Sequence, residues 1–232
     1  DRENFFGLLL TPIIRPAVQG NVPMHMIHSP IERTGKTKLA EEVLGGVILG
    51  RPTPALQLTG SDDERDKRIL AVLLRGDTII HFDNVHHGYL DSPALASLVT
   101  ASNYSGRVLG QTELCSPRNL TTIVATGNNI RMTGELAKRT VPIVLLPSTD
   151  RPEERTDFAH PDLRAYVTAE RTRIMGCLVG MVLNWQDEGC PMVAPPFGGF
   201  ERWTRMTAGI LAANGFGAHL SNRDSWVSRT NT

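Results

Sequence analysis

The sequence predicts an α/β fold: a mostly parallel sheet covered by helices, followed by a small C-terminal helical region. Three observations carry this expectation. Apolar, β-branched runs at 22–28, 78–82, 120–125 and 141–145 alternate with helical stretches, which implies parallel pairing. The first run leads straight into a tight loop ending in Gly35-Lys36-Thr37, and helix formers follow it. Beyond the linker Ser148-Thr149-Asp150-Arg151-Pro152 the pattern is helical only.

Taken in order, residues 5–18 read as an apolar helical lead-in, broken by Pro12 and Pro16. The helix at 37–49 closes at Gly50 and the Pro52/Pro54 pair, and 55–59 is a short strand. Ser61-Asp62-Asp63-Glu64 starts a helix, with Ser61 as cap and Glu64 completing a capping box. Ile69, Val72 and Leu73 give that helix its apolar face, and Gly76 ends it. A helix at 92–100 carries Pro93 in its first turn. Weak alternation around Gly110 makes 107–114 an exposed hairpin. Helices are expected at 162–184 and 200–214, with a polar, fraying tail from His219. The chain thus divides into a lead-in (1–21), a sheet-bearing core (22–147) and a C-terminal helical region with a frayed tail (148–232).

Bulk composition narrows the partners. Net charge is formally zero, and residues 1–150 carry 15 Lys+Arg against 15 Asp+Glu, so any nucleic-acid surface must be a local patch. Cys115, Cys177 and Cys190 have no metal-binding spacing and suit a reducing compartment. The apolar run at 174–183 is too short to span a membrane. The chain opens on Asp1 rather than Met, which we read as excision from a longer protein.

The first loop has the context of a phosphate-binding P-loop: strand, tight loop, Gly-Lys-Thr, helix. Arg33, Thr34, Gly35, Lys36 and Thr37 would offer amides at a helix N-terminus, Lys36 a charge for the β/γ-phosphates of ATP, and Thr37 a hydroxyl for Mg²⁺. Pro30 stands where the pattern wants Gly; it removes one N–H at the start of the loop. Asp83 ends the apolar run Ile79-Ile80-His81-Phe82, as does the acid that holds Mg²⁺ in P-loop NTPases. Asn128 or Asn129, after Ile123-Val124-Ala125-Thr126-Gly127, would orient the attacking water or touch the γ-phosphate. Arg139 reads either as an arginine finger for a neighbouring subunit or as a surface arginine near a helix end.

The set Thr34-Gly35-Lys36-Thr37, Phe82-Asp83-Asn84-Val85, Arg107-Val108-Leu109-Gly110, Thr126-Gly127-Asn128-Asn129 and Gly134-Glu135-Leu136-Ala137-Lys138-Arg139 resembles the AAA+-type, superfamily-3-like ATPase (helicase) domain of phage and mobile-element primase–helicase proteins. Arg151-Pro152-Glu153-Glu154-Arg155 and Phe158-Ala159-His160-Pro161-Asp162-Leu163 resemble the family's passage into its helical region, and the likeness covers about 20–210. It implies a replicative ATPase working as a ring, a hexamer, on single-stranded or forked DNA in a bacterial host's cytoplasm. A primase or polymerase domain would lie on the same or a companion chain. It assigns phosphate and Mg²⁺ roles to Lys36 and Thr37, the second-motif acid to Asp83, the sensor amide to Asn128 or Asn129, and the trans finger to Arg139. Asn84 departs from the catalytic Glu usual in AAA+ proteins, and an amide cannot accept a proton as a base. Either Asn84 positions water or another acid serves, with Glu64 the candidate; the alternative for Glu64 is a plain first-turn acid.

Arg107 and Arg118, with Tyr104 as a stacking ring, are the candidates for tracking a DNA strand, against the alternative of ordinary surface arginines. His86-His87 read as loop residues rather than metal ligands. Trp185, Trp203 and Met206 read as packing residues. Two rivals accompany the motor: an ATP-controlled DNA clamp or initiator that hydrolyses poorly, and a P-loop small-molecule kinase.

Overall fold

The computed structural model describes residues 1–85, 89–108, 114–193 and 197–230. Its centre is a five-stranded sheet in the order β2-β3-β7-β1-β9, with every pairing parallel. In chain order come α1 (Arg2–Ile14), β1 (Met24–Ser29), α2 (Lys36–Lys38), a π-helical stretch (Leu39–Gly45), α3 (Gly46–Leu49), β2 (Ala55–Leu56), α4 (Asp62–Leu74) and β3 (Ile79–Val85). There follow β4 (Tyr89–Leu90), α5 (Pro93–Thr100), β5 (Gly106–Arg107), β6 (Leu114–Cys115), β7 (Thr122–Asn128), β8 (Arg131–Met132), α6 (Gly134–Lys138) and β9 (Thr140–Val144). A 3₁₀ turn (Pro152–Glu154) leads to α7 (Leu163–Asp187), α8 (Glu201–Ala213) and α9 (Arg223–Thr230). The α/β class and the parallel, helix-covered sheet are as the sequence predicts.

The strands are buried on both faces, so they read as continuous apolar runs rather than alternating ones. Three helix starts follow side-chain chemistry. Ser61 accepts from the Glu64 amide, Ser92 from the Leu95 amide and Asp162 from the Ala165 amide. The first helix of the core departs from a regular α-helix. Gly45 and Gly46 let it pack closely: a Cβ on Gly45 would lie 2.3 Å from Thr53 Oγ1, and one on Gly46 2.8 Å from Val167 Cγ1. The wider π turn frees carbonyls, and the Thr53 loop takes them up. Thr53 Oγ1 donates to the Ala40 carbonyl at 3.2 Å, and its amide to the Glu41 carbonyl at 3.3 Å.

The C-terminal tail corrects one expectation. Among the described residues the stretch after His219 forms α9 (Arg223–Thr230), which packs on α6, β8 and β9. Its polar composition hid a single large anchor. Trp226 is 1% exposed and meets the His28 ring edge-on at 5.3 Å. Trp203 of α8 is likewise buried, donates to Thr11 Oγ1 at 2.9 Å, and is flanked by His25, Phe197 and His219. Lead-in and tail therefore meet in one core beside β1. The paired histidines His86-His87 and the 107–114 hairpin's tip lie outside the described residues.

Two outcomes follow from this packing. Trp226→Ala should lower unfolding stability by about 3–5 kcal/mol in urea titration, whereas a frayed tail would leave it unchanged. Burial pushes His25 down to about 3 and His28 and His219 down to about 4, from an ordinary 6.5. The unfolded chain then binds protons that the native one refuses, so stability falls as pH drops from 6.5 towards about 3, His25 alone contributing below about 4, and this contribution levels off below that. A urea midpoint that stays flat across that window would contradict the neutral burial of these rings.

Candidate nucleotide site

Parallel pairing delivers three carboxyl ends to one edge. β1 lies beside β7, and β7 beside β3, with Ser29 opposite Asn128 in the register. Between them lies a cavity of about 520 Å³, lined by the loop from Glu32 to Lys38 and by Asn84, Thr126, Gly127 and Asn128. Its centre is Lys36, 6% exposed, whose ammonium donates to the Ile31 carbonyl at 3.2 Å and to Thr34 Oγ1 at 3.0 Å. Burial pushes this lysine below its ordinary pKa, while the Glu32 and Asp83 charges pull the other way. Gly35 sits at φ 87°, a left-handed position that suits glycine and turns the loop into the helix.

The acid and the hydroxyl are joined. Thr37 Oγ1 donates to Asp83 Oδ1 at 2.8 Å, and Thr126 Oγ1 donates to the same oxygen at 2.7 Å. The Asn84 amide donates to Thr126 Oγ1 at 2.9 Å. A register irregularity between Phe82 and Val85 lets β3 turn Asp83 and Asn84 out of the regular ladder. Arg33, Asn84 and Asn129 all have positive φ (56°, 48° and 45°), so backbone strain gathers at this edge.

The two tandem amides separate. Asn128 lines the cavity, and its Oδ1 is buried without a hydrogen-bond partner. Asn129 faces the loop instead: Nδ2 donates to the Pro30 carbonyl at 3.1 Å, and its backbone amide to the Ser29 carbonyl at 3.3 Å. Asn129 thus braces the start of the loop, where Pro30 has removed a donor.

Other candidates lie elsewhere. Arg139 stands before β9, at the amino end of the sheet, where its carbonyl accepts from the Met24 amide. The cavity opens at the other end of β1, about 17–20 Å away for a strand of six residues. Its guanidinium pairs with Glu135 at 2.7 Å and donates to the Ala96 carbonyl at 3.1 Å. Arg139 therefore cannot serve the cavity of its own chain. Arg33 lines the cavity edge and faces Glu153 at 3.9 Å.

Arg107 and Arg118 are both exposed, on the antiparallel limb β5 and just before β7. Tyr104 is not a stacking ring: it is 5% exposed and its hydroxyl bonds Asp66, and burial first, then the Asp66 contact, pushes its ionisation up. Glu64 is not at the site. It is exposed at the start of α4 and pairs with Lys67 at 3.0 Å.

Sequence reasoning passed over Thr126 and Glu32. Thr126 stood inside a quoted motif, and its hydroxyl gains meaning only when β7 and β3 become neighbours. Glu32 brings a carboxylate into the cavity wall. Among the described residues no three His, Cys, Asp or Glu side chains form a metal-binding group, and no helix is long and apolar enough to cross a membrane.

No protein-family model matches the chain, and no curated protein matches it. Among solved structures it is similar to a JCV helicase bound to N-(4-(2-(thiazolo[5,4-c]pyridin-2-yl)phenoxy)phenyl)acetamide. The TM-score is 0.48 and identity 14%, over 99% of this chain and 60% of that one. A second JCV helicase structure gives a TM-score of 0.44 at 14% identity, over 91% and 59%. The chain spans about 60% of the length of the helicase chains it matches.

Proposed function

We propose that this chain is the Mg²⁺-ATP-dependent ATPase domain of a DNA helicase or translocase, part of a phage or mobile-element replication protein that works as an oligomeric ring. One observation carries the reading: the 2.8 Å contact of Thr37 with Asp83 at a cavity that holds Lys36. A hydroxyl and a carboxylate are hard oxygen donors, and Mg²⁺ characteristically takes one or two protein oxygens plus waters and phosphate oxygens. The donor set fits that ion. Thr37 would bind it through Oγ1 and Asp83 through its carboxylate, and Mg²⁺ when bound neutralises phosphate charge.

The chain's own groups have distinct tasks. Lys36 supplies the fixed cation for the β/γ-phosphates. The first-turn amides of the helix lack intrahelical acceptors and take the anion. Asn128, which lines the cavity, would be the sensor amide that orients the attacking water or touches the γ-phosphate. Arg139 would complete the site of the next subunit, because it is remote from its own. Arg107 and Arg118 supply the exposed charge for a DNA strand. A hexamer and a primase or polymerase partner rest on the family resemblance. A second reading, an ATP-controlled clamp or initiator with weak hydrolysis, draws on Asn84, since its amide cannot take a proton and Glu64 is elsewhere.

ATP turnover should rise with single-stranded DNA and vanish when EDTA removes the metal. Lys36→Ala should lower kcat by about 10²–10³-fold and Arg139→Ala by about 10³-fold or more. Mixing those two variants should restore part of the activity, because intact halves then meet across a subunit boundary. ATP binding without turnover would favour the clamp, and a fully active Arg139→Ala would remove the trans finger.

A further inference from the structure

Beneath the Thr37–Asp83 contact lies a second acid that the roles above do not use. Glu41 is one turn further along the helix from Thr37, inside the π stretch, with its side chain 28% exposed. On the facing strand His81 and Asp83 lie on the same side, with His81 Nε2 3.7 Å from Asp83 Oδ1. The two elements therefore meet twice: Thr37 against Asp83, and Glu41 against His81. His81 is fully buried, and neither ring nitrogen has a hydrogen-bond partner. Two acids flank it, Glu41 Oε1 at 4.0 Å from Nδ1 and Asp83 Oδ1 at 3.7 Å from Nε2, and burial lowers its pKa to about 4, so the ring is neutral near pH 7. Burial and the neighbouring Asp83 and Glu42 charges raise the Glu41 pKa, while Arg164 offsets part of this. The pull of Arg164 is centred on Glu42, which it faces at 3.7 Å.

The π turn explains why Glu41 is there. A carboxylate in a partly buried helix beside a second carboxylate is unfavourable by itself. The chain nevertheless braces this turn, with Thr53 bonding the Ala40 and Glu41 carbonyls and Gly45 leaving room for its loop. Glu41 is not among the cavity's lining residues.

We propose that Glu41 and His81 are positioning residues for divalent-cation binding: the buried imidazole fills the space between the two acids, 3.7 Å from Asp83 and 4.0 Å from Glu41, and Glu41 adds its negative charge behind the Thr37–Asp83 pair. This rests on the ATPase reading and deepens it. Groups behind a ligating carboxylate typically change metal affinity or activity 10–100-fold. The effect should appear in ion binding itself, without turnover.

Mn²⁺, a spectroscopic stand-in for Mg²⁺, reports this directly by electron paramagnetic resonance titration of the full chain in the presence of ADP. Glu41→Gln should weaken Mn²⁺ binding about 10-fold while metal-free binding of a fluorescent ADP analogue stays unchanged. Glu41→Asp, which keeps the charge on a shorter arm, should recover part of the loss. Glu42→Gln, which removes an equal charge next door, should bind Mn²⁺ like wild type. His81→Gln should mimic Glu41→Gln, and it decides the matter if Glu41→Gln proves misfolded by circular dichroism. Wild-type Mn²⁺ affinity in both Glu41→Gln and His81→Gln overturns the inference and leaves the ATPase reading intact. Equal losses in Glu41→Gln and Glu42→Gln overturn it as well, because they reduce the effect to net charge. No nucleotide-dependent Mn²⁺ binding in the wild type overturns the ATPase reading and the inference with it.

Discussion

The parallel pairing of β1 with β7 is the constraint on which the site depends. It places Ser29 opposite Asn128 and so brings the Gly35-Lys36-Thr37 loop and Asn128 to one edge. β3, on the far side of β7, then has one place for its end, and Asp83 arrives there within hydrogen-bond reach of Thr37. In an antiparallel arrangement the ends would alternate between edges, and the motifs could not meet. Gly127 shows how tightly the edge is built: a Cβ there would lie 2.5 Å from Ile130 Cδ1.

Departures from regular structure collect around the same edge. Arg33 and Asn84, both at positive φ, line the cavity, and the π turn after Lys38, the irregularity in β3 and Asn129 at positive φ directly adjoin its lining residues in the chain. Each disturbs a local preference, and each has an identifiable support. Thr53 takes up the carbonyls of the π turn, Thr126 receives the Asn84 amide, and the Pro30 carbonyl receives the Asn129 amide. A regular fold carries such strain only where surrounding contacts over-determine it. Pro30 belongs to this pattern: the donor it lacks is offset by a brace from the neighbouring strand.

The helical region contributes to the site by holding the sheet. α1, α8 and α9 close over β1 and β9 through Trp203 and Trp226, with His25, His28 and His219 buried neutral between them. Arg171 of α7 donates to the Val47 and Ile48 carbonyls at the far end of the helix that begins with Lys36. The phosphate-type loop is thereby anchored at the strand before it and at the helix after it.

The α/β class, the main strand positions and the Lys36–Thr37 loop could be read from the chain alone, because apolar runs and Gly-Lys-Thr are local signals. So could Asp83 and the tandem Asn128-Asn129, each at the end of an apolar run. The α9 helix could not, since one tryptophan in a polar stretch has no periodicity to reveal it. Nor could the split between Asn128 and Asn129, which depends on which side of β7 the Pro30 carbonyl lies. Tyr104 looked available and is buried; Glu64 is the plain first-turn acid that the sequence also offered, exposed and paired with Lys67. Thr126 stood in the Thr-Gly-Asn-Asn block without its hydroxyl standing out, and Glu41 had no signal, because a hydroxyl or a carboxylate becomes part of a site only through neighbours distant in sequence. Local patterns determined which segments become strands and helices. Packing across the sheet decided which of their polar atoms face one another, because that depends on strand order and register, which no local pattern encodes.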